Sequence, residues 1–357
     1  MTALPLSPAP LDAGAPPPHR APHLHVLPGG ATDRPLPRAQ RAAWLVDAPW
    51  PELESYVLSR RRRADVLGVP LLAQGEERWG AEGFARVHGS SLLGFLRGRD
   101  LADVAHLPAA RLRVRFKYDD LIARSFIPLL GRDVPEVTVS QNLLPALWRS
   151  GALRGRAVDV LMVRLPLHVL HARLDQAARL HPLSLSLATY RAPDDVVDDE
   201  AEALAAARRV VTPHSEIAAL FPGRALKIPW VLPDAGRHRP GPRVVLAGRT
   251  DGLQGVYELR DAACHRNAAL TTLEPPREYL SFWRGMDVRR RPVRDAFLDA
   301  AVAVLPAWCC SRPGAALAAV ACGVPVVATA AAGLAGVPGV RELPVGDAVA
   351  LAAALPG

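Results

Sequence analysis

Short apolar runs alternate with longer segments of helical periodicity from about residue 156 to the C-terminus. Residues 158–163 are almost continuously apolar, which is typical of a strand buried in a parallel sheet. Residues 167–180 then place apolar side chains at helical spacing. The same pattern predicts strands at 183–188, 210–213 and 226–229 and helices at 200–209 and 216–221, the last capped by Ser215. Such alternation predicts a parallel, doubly wound α/β sheet.

A second series of strands and helices follows a segment rich in Pro, Gly and Arg, residues 233–242. Strands are predicted at 243–247, 270–273, 302–305 and 324–328, and helices at 256–264, 293–300, 313–322 and 347–355, the last capped by Asp347. We therefore predict two Rossmann-like parallel-sheet domains, 39–232 and 243–357, joined by a linker at 233–242. Ligands of such sheets bind beyond the carboxyl ends of the strands, here in the cleft between the domains.

The pattern is weaker before residue 156. Residues 1–38 are rich in Pro, Ala and His and predict a disordered tail. Between 41 and 155, strands are expected at 43–46, 112–116 and 137–139, and the rest of this region has no clear periodicity.

Charge adds little to the functional picture. The chain has 357 residues and a net charge of +8, but Lys117 and Lys227 are its only lysines. This composition indicates a coding bias toward Arg, so no nucleic-acid partner is expected. The dense basic run Arg60–Arg63 is either a solvated helix face or a peripheral contact with an anionic membrane or an acceptor.

Two features bear on the compartment. The four cysteines have no metal-ligand spacing, and Cys309 and Cys310 are neighbours, so a reduced, cytoplasmic protein is expected. Residues 313–340 lack charge, yet several Gly and Pro residues interrupt them. This stretch predicts a buried helix and strand rather than a membrane span.

Three segments carry a family resemblance. They are residues 210–215, residues 245–249 with Gly255, and residues 303–306 followed by 319–329 and then by Gly346 and Asp347. These segments resemble the "group 1" (GT4-like) glycosyltransferases of the GT-B fold over residues 156–357. The resemblance implies retaining transfer of a sugar from a nucleotide-diphosphate donor to an acceptor hydroxyl, without a metal or other cofactor.

The same motifs give candidate donor-binding residues. Gly248 allows the backbone to approach a phosphate, and Arg249 can neutralise it. The amino end of the helix near Gly314 favours a diphosphate, and Thr329 ends a strand beside small residues. Arg249 and Tyr190 are the candidates for a catalytic role.

The chain also departs from the family pattern at its polar positions. Cys310 and Ala318 stand where the family has acidic residues, Gln254 replaces a phosphate-binding Lys, and Tyr190 and Arg191 stand where a His is expected. Donor binding is therefore expected to be weak, altered or lost. Two other hypotheses remain: a non-catalytic relative that acts as a scaffold or sugar-nucleotide sensor, and a basic peripheral protein that binds anionic lipid or nucleic acid.

Other polar groups favour structural roles. The acidic run 194–200 is expected to cap a helix start rather than to bind a metal. Asp119 and Asp120 are expected at the surface. His168, His171 and His181 are expected to be core or surface residues.

Overall fold

The computed structural model describes residues 41–48, 50–70, 82–105, 107–236 and 238–356. The tail predicted at 1–38 lies outside these residues. None of the helices in the described ranges combines the length and the hydropathy needed to cross a membrane.

The N-terminal half contains a seven-stranded sheet in which every pair of neighbours is parallel. Its strands are β1 Ala42–Leu45, β2 Val66–Val69, β3 Arg86–Gly89, β4 Glu136–Ser140, β5 Ala157–Leu161, β6 Arg209–Thr212 and β7 Ala225–Lys227. Its helices are α1 Pro51–Arg60, α2 Ser91–Asp103, α3 Pro108–Phe126, α4 Leu144–Arg149, α5 Leu167–Leu180, α6 Asp194–Ala206 and α7 Ser215–Leu220. The strand order β3-β2-β1-β4-β5-β6-β7 is doubly wound, and the order reverses between β1 and β4.

The C-terminal half contains a six-stranded parallel sheet in the order β10-β9-β8-β11-β12-β13. Its strands are β8 Pro240–Leu246, β9 Leu270–Thr272, β10 Val288–Arg290, β11 Ala300–Leu305, β12 Val326–Thr329 and β13 Val340–Leu343. Its helices are α8 Val256–Arg266, α9 Gly314–Ala321 and α10 Ala348–Ala354. The point where the order reverses lies between β8 and β11, so the loop after β8 faces the region where ligands bind in such sheets.

Buried apolar side chains cover both faces of each sheet. This explains why the strands are nearly continuous apolar runs rather than alternating ones. The charge-free stretch 313–340 forms the buried helix α9 and the buried strand β12, as predicted. Asp347 caps α10 by accepting a hydrogen bond from the Ala350 amide at 2.8 Å, also as predicted.

Three predicted elements are wrong. Residues 112–116 lie within α3, where Tyr118, Ile122 and Phe126 are buried at intervals of four residues. Residues 183–188 form turns rather than a strand, because their polar groups bond to a distant carboxylate described below. Of the helix predicted at 293–300, only the 3₁₀ turn Val293–Asp295 forms before β11 begins at Ala300.

Two predicted helix starts also need correction. Ser215 is the first residue of α7, and His214 is its N-cap, with Nδ1 accepting from the Ile217 amide at 3.4 Å. Helix α6 starts at Asp194, six residues before the predicted position. The run Arg60–Arg63 is not a helix face, since α1 ends at Arg60.

Candidate functional site

The loop after β8 carries the first group of predicted donor residues. A Cβ at Gly248 would lie 2.8 Å from Gln254 Oε1, so a larger residue would displace that side chain. Gly255 has φ +73°, and a Cβ there would lie 1.9 Å from the Pro306 carbonyl oxygen. Glycine is therefore required at Gly255, where the loop turns into α8.

Arg249 projects from this loop with about half of its side chain exposed. Its Nε lies 3.0 Å from Oδ2 of the buried Asp251. Burial raises the pKa of Asp251, and the positive charge of Arg249 opposes that rise. Asp251 therefore orients the guanidinium while the rest of the group faces solvent.

Arginine charges from both halves influence one another beside this loop. Burial lowers the pKa of Arg111 on α3, and the neighbouring charges of Arg115, Arg277 and Arg249 lower it further. Arg277 also pairs with Glu274 at 2.8 Å. We call Arg111, Arg115, Arg249 and Arg277 the arginine cluster. Such a concentration of fork-shaped donors suits a ligand that carries several phosphate oxygens.

The second group of predicted donor residues surrounds α9. Cys310 is buried, and burial raises the pKa of its thiol to about 11. Gln254 Nε2 donates to the Cys309 carbonyl at 2.9 Å, which ties the β8 loop to this segment. Gly314 begins α9, and Ala318 is half-buried on it. Thr329 is buried, and its hydroxyl donates to the Ala307 carbonyl at 2.6 Å.

Trp308 lies in the loop after β11, and its ring packs against the turn that precedes α10. Its side chain is fully buried, and a Cβ at Gly346 would lie 2.6 Å from its ring. Its Nε1 donates to Glu258 at 2.9 Å, and the same Glu258 oxygen lies 2.6 Å from His181 Nε2 of the N-terminal half. His181 is therefore a contact between the halves, not simply a core or surface histidine as predicted.

Glu278 joins the two halves through five hydrogen bonds. Oε1 accepts from the Ser186 hydroxyl at 2.5 Å and the Gly252 amide at 2.7 Å. Oε2 accepts from the Ser184 hydroxyl at 2.9 Å, the Leu185 amide at 2.8 Å and the Tyr257 hydroxyl at 3.0 Å. Burial acts to raise the pKa of Glu278, but these donors outweigh it and the pKa is lowered. The 183–188 turns are thereby fixed against the β8 loop.

His214 makes a second connection between the halves. Its Nε2 lies 3.1 Å from the Cys310 carbonyl and 3.3 Å from the Ala331 carbonyl, so this nitrogen carries the proton and donates. Nδ1 accepts at the start of α7, which leaves the ring neutral. Burial lowers the pKa of His214, in agreement with a neutral ring. Residues 210–215, one of the three segments that carry the family resemblance, thus position the Cys310 backbone.

Polar side chains collect at the carboxyl ends of β1, β4 and β5 in the N-terminal half. Asn142 Nδ2 donates to Asp47 Oδ2 at 2.6 Å, and Arg164 Nε donates to Asn142 Oδ1 at 3.2 Å. Arg164 Nη2 lies 2.7 Å from Oε1 of the fully buried Glu200. Gln141 Nε2 donates to the same oxygen at 3.2 Å, while Gln141 Oε1 is buried without a hydrogen-bond partner. We call these residues the β-end cluster.

Asp119 on α3 borders the β-end cluster and is not at the surface as predicted. Arg97 Nη1 lies 3.4 Å from Asp119 Oδ1, and Arg97 Nη2 donates to the Asp47 carbonyl at 3.1 Å. Burial, followed by the charge of Asp47, raises the pKa of Asp119 to about 7 despite the opposing charges of Arg97 and Arg115. A carboxyl group that titrates near neutrality can accept or hold a proton under physiological conditions.

Replacing Asp119 with asparagine is expected to stabilise the protein at pH 8 by about 1–3 kcal/mol. The pKa of about 7 in the folded protein exceeds the ordinary aspartate pKa of 3.8. Stability that Asp119 contributes below pH 4 is therefore lost as the pH rises toward 7. The difference between Asp119→Asn and the natural protein should vanish near pH 4, as measured by urea unfolding across pH. Asp120→Asn, which removes the pair with Arg124, is the control; an equal pH effect there would contradict the assignment.

The remaining predicted groups take structural roles. Asp194 and Asp195 lie in the first turn of α6, as predicted, but no side-chain hydrogen bond caps this helix. Asp195 and Asp199 pair with Arg149 at 2.7 and 2.5 Å, and Glu200 accepts from the Leu167 amide at the start of α5. Tyr190 packs against the core close to Arg164. His168 is exposed, and His171 accepts from the Ala192 amide at 3.0 Å. Within the described ranges, no three His, Cys, Asp or Glu residues are grouped as metal ligands.

Comparison with known proteins identifies the fold. No protein-family model matches the chain, and no curated protein matches it significantly. The structure is similar to sucrose-phosphate synthase from Thermosynechococcus elongatus, with a TM-score of 0.53 and 15% identity over 88% of both chains. A UDP-glucosyltransferase from Polygonum tinctorium matches 81% of this chain and 80% of its own at 12% identity and a TM-score of 0.45. Os79 from O. sativa, solved with UDP, matches 80% of both chains at 18% identity and a TM-score of 0.44.

These similarities concern the fold. Two parallel α/β sheets of seven and six strands, each with a reversal in its strand order, agree with the architecture predicted from the strand pattern. The chain has the GT-B fold of the glycosyltransferases.

Proposed function

We propose that the protein transfers a sugar from a nucleotide-diphosphate donor to an acceptor hydroxyl. The observation that carries the proposal is the position of Arg249, which is about half exposed on the β8 loop of a GT-B fold and lies 3.0 Å from the buried Asp251, with the charges of Arg111 and Arg277 acting beside it. Arg249, Arg111 and Arg277 would neutralise the donor diphosphate and stabilise it as it leaves. The amino end of α9, at Gly314, would add backbone N–H donors.

The β-end cluster supplies the acceptor side of this proposal. Asp47 and Asn142 offer a carboxylate and an amide, which suit recognition of a hydroxyl group. Asp119 would accept a hydrogen bond from the reacting hydroxyl. The course of the reaction is proposed to be retaining and independent of a metal, on the basis of the sequence resemblance. A cytoplasmic location stays a prediction of the cysteine pattern.

Arg249→Ala is expected to weaken binding of a nucleoside diphosphate by about 10- to 150-fold, since a hydrogen bond to a charged group contributes about 1.5–3 kcal/mol. A thermal-shift panel of UDP, GDP and ADP sugars selects the ligand, which should raise the melting temperature. Calorimetric titration with the corresponding nucleoside diphosphate then measures the change in affinity.

Arg294→Ala is the matched control, because the Arg294 side chain is 84% exposed and pairs with the adjacent Asp295 outside the arginine cluster. The control should bind like the natural protein. Equal affinities of Arg249→Ala and the natural protein, or no stabilisation by any ligand of the panel, would overturn the proposed donor site.

One observation favours a second candidate, a non-catalytic sugar-nucleotide sensor. Cys310 and Ala318 offer no carboxylate to the donor sugar, and Trp308 fills space beside β11. A sensor would bind the selected nucleotide sugar without transferring or hydrolysing it. Release of free nucleoside diphosphate by the purified protein, abolished in Arg249→Ala, would exclude this candidate.

A further inference from the structure

Two neighbouring loops present leucines to solvent. Leu183 and Leu185 precede α6 and are 84% and 60% exposed, and Leu280 follows β9 and is 97% exposed. Tyr279 beside it is 40% exposed. We call these four residues the apolar tip. A contiguous group of exposed apolar side chains indicates an interaction surface, whereas single exposed leucines do not.

The loops that carry the apolar tip are anchored beneath it. Glu278 accepts from the Ser184 hydroxyl and the Leu185 amide, and Tyr279 and Leu280 follow Glu278 directly. The Tyr279 ring also packs on the buried Phe282, with centroids 5.3 Å apart. The two loops are therefore held side by side.

The surroundings of the apolar tip are basic. Residues 179–191 and 275–286 contain four arginines and one acidic residue, the buried Glu278. Arg191 and Arg277 pair with Asp175 and Glu274, so the positive charge of this surface comes from Arg179 and Arg284. Arg179 and Arg284 are exposed, and Arg260 donates to the Tyr279 hydroxyl at 3.2 Å. Positive charge around exposed apolar side chains is complementary to a surface whose outer layer is negatively charged and whose interior is apolar.

We propose that the apolar tip docks on an anionic lipid bilayer. The three leucines enter the boundary between headgroups and acyl chains, Tyr279 lies at headgroup depth, and the arginines bind lipid phosphates. Charge complementarity favours a bilayer over another protein as the occupant. This inference does not depend on sugar transfer.

Vesicle co-sedimentation of the full chain tests the proposal. The natural protein should sediment with vesicles of phosphatidylcholine and phosphatidylglycerol at 7:3, and at least tenfold less with phosphatidylcholine alone. Leu183→Ser/Leu185→Ser/Leu280→Ser should reduce binding at least tenfold, and Leu280→Ser alone should reduce it measurably. Arg179→Gln/Arg284→Gln should also weaken binding and reduce its salt dependence. Leu92→Ser, at a leucine that is 69% exposed on α2, is the control and should bind normally.

Three results would overturn the proposal. The natural protein could fail to bind any anionic vesicle, or the triple variant could sediment like the natural protein. Alternatively, light scattering could show a dimer that the triple variant loses, which would assign the apolar tip to a second copy of the chain. A thermal melt of each variant verifies folding, and Leu280→Ser keeps the test valid if the triple variant is unstable.

Discussion

Glu278→Gln is expected to lower the free energy of unfolding by about 3–5 kcal/mol. The carboxylate accepts two donors at one oxygen and three at the other. A glutamine amide keeps one accepting oxygen and places an NH₂ group against the remaining donors. Either the Leu185 amide then loses its acceptor, or the Gly252 amide keeps only the Ser186 hydroxyl at 2.8 Å. Because these donors come from both halves, the substitution should loosen the contact between the 183–188 turns and the β8 loop.

The pH dependence distinguishes the Glu278 carboxylate from a purely steric effect. Its pKa in the folded protein is lowered from the ordinary glutamate pKa of 4.5. Its contribution to stability is therefore present above pH 4.5 and is lost as the pH falls through the folded pKa. Urea unfolding should therefore show a difference between Glu278→Gln and the natural protein that shrinks in acid. Glu342→Gln, on an exposed part of β13, is the control and should change stability by less than about 0.5 kcal/mol. A loss below about 1 kcal/mol in Glu278→Gln would contradict the prediction.

From residue 156 onward, the sequence predicts the strands well where they are buried on both faces, whereas the equally buried β2 lies in the region without clear periodicity. Residues 158–163 and 324–328 are apolar runs bounded by helices, and they form β5 and β12 close to the expected positions. Residues 183–188 were misread because Leu and Ser alternate there as in a half-buried strand. Their conformation depends on Glu278, which lies more than 90 residues away along the chain. Local periodicity cannot encode such a contact.

The candidate site was predictable in part. The motifs around Gly248 and Arg249 mark the β8 loop, but they carry no information on Arg111 and Arg115, which approach from a helix that the alternating pattern of 112–116 concealed. A signal for the β-end cluster was present in the sequence. Asp47 follows directly on the strand predicted at 43–46, and Asn142 lies three residues after the strand predicted at 137–139. Residues after parallel strands meet at the same edge of a sheet.

Arg164→Met is expected to destabilise the protein by about 3–5 kcal/mol, because it leaves the buried Glu200 carboxylate without its cation. Glu200 would keep the Gln141 Nε2 donor and the Leu167 amide at 2.5 Å, which do not balance its charge. The substitution should also disturb the acceptor side of the proposed site, because Arg164 donates to Asn142 and Asn142 donates to Asp47. Acceptor-side binding would therefore weaken together with stability.

A double-mutant cycle separates the charge pair from lost packing. Arg164→Met/Glu200→Met removes both charges and should be less destabilising than the sum of the two single changes by about 1–3 kcal/mol. The remaining cost reflects the Leu167 amide, which loses its acceptor in the double variant. Arg149→Met is the control. It breaks the more exposed ion pairs with Asp195 and Asp199, which lie on the same helix as Glu200, and should lower the free energy of unfolding by less than about 1 kcal/mol. If the two single changes were additive in denaturant unfolding, Arg164 would stabilise the protein through packing alone. The geometry of the β-end cluster would then depend on the surrounding core rather than on the Arg164–Glu200 ion pair.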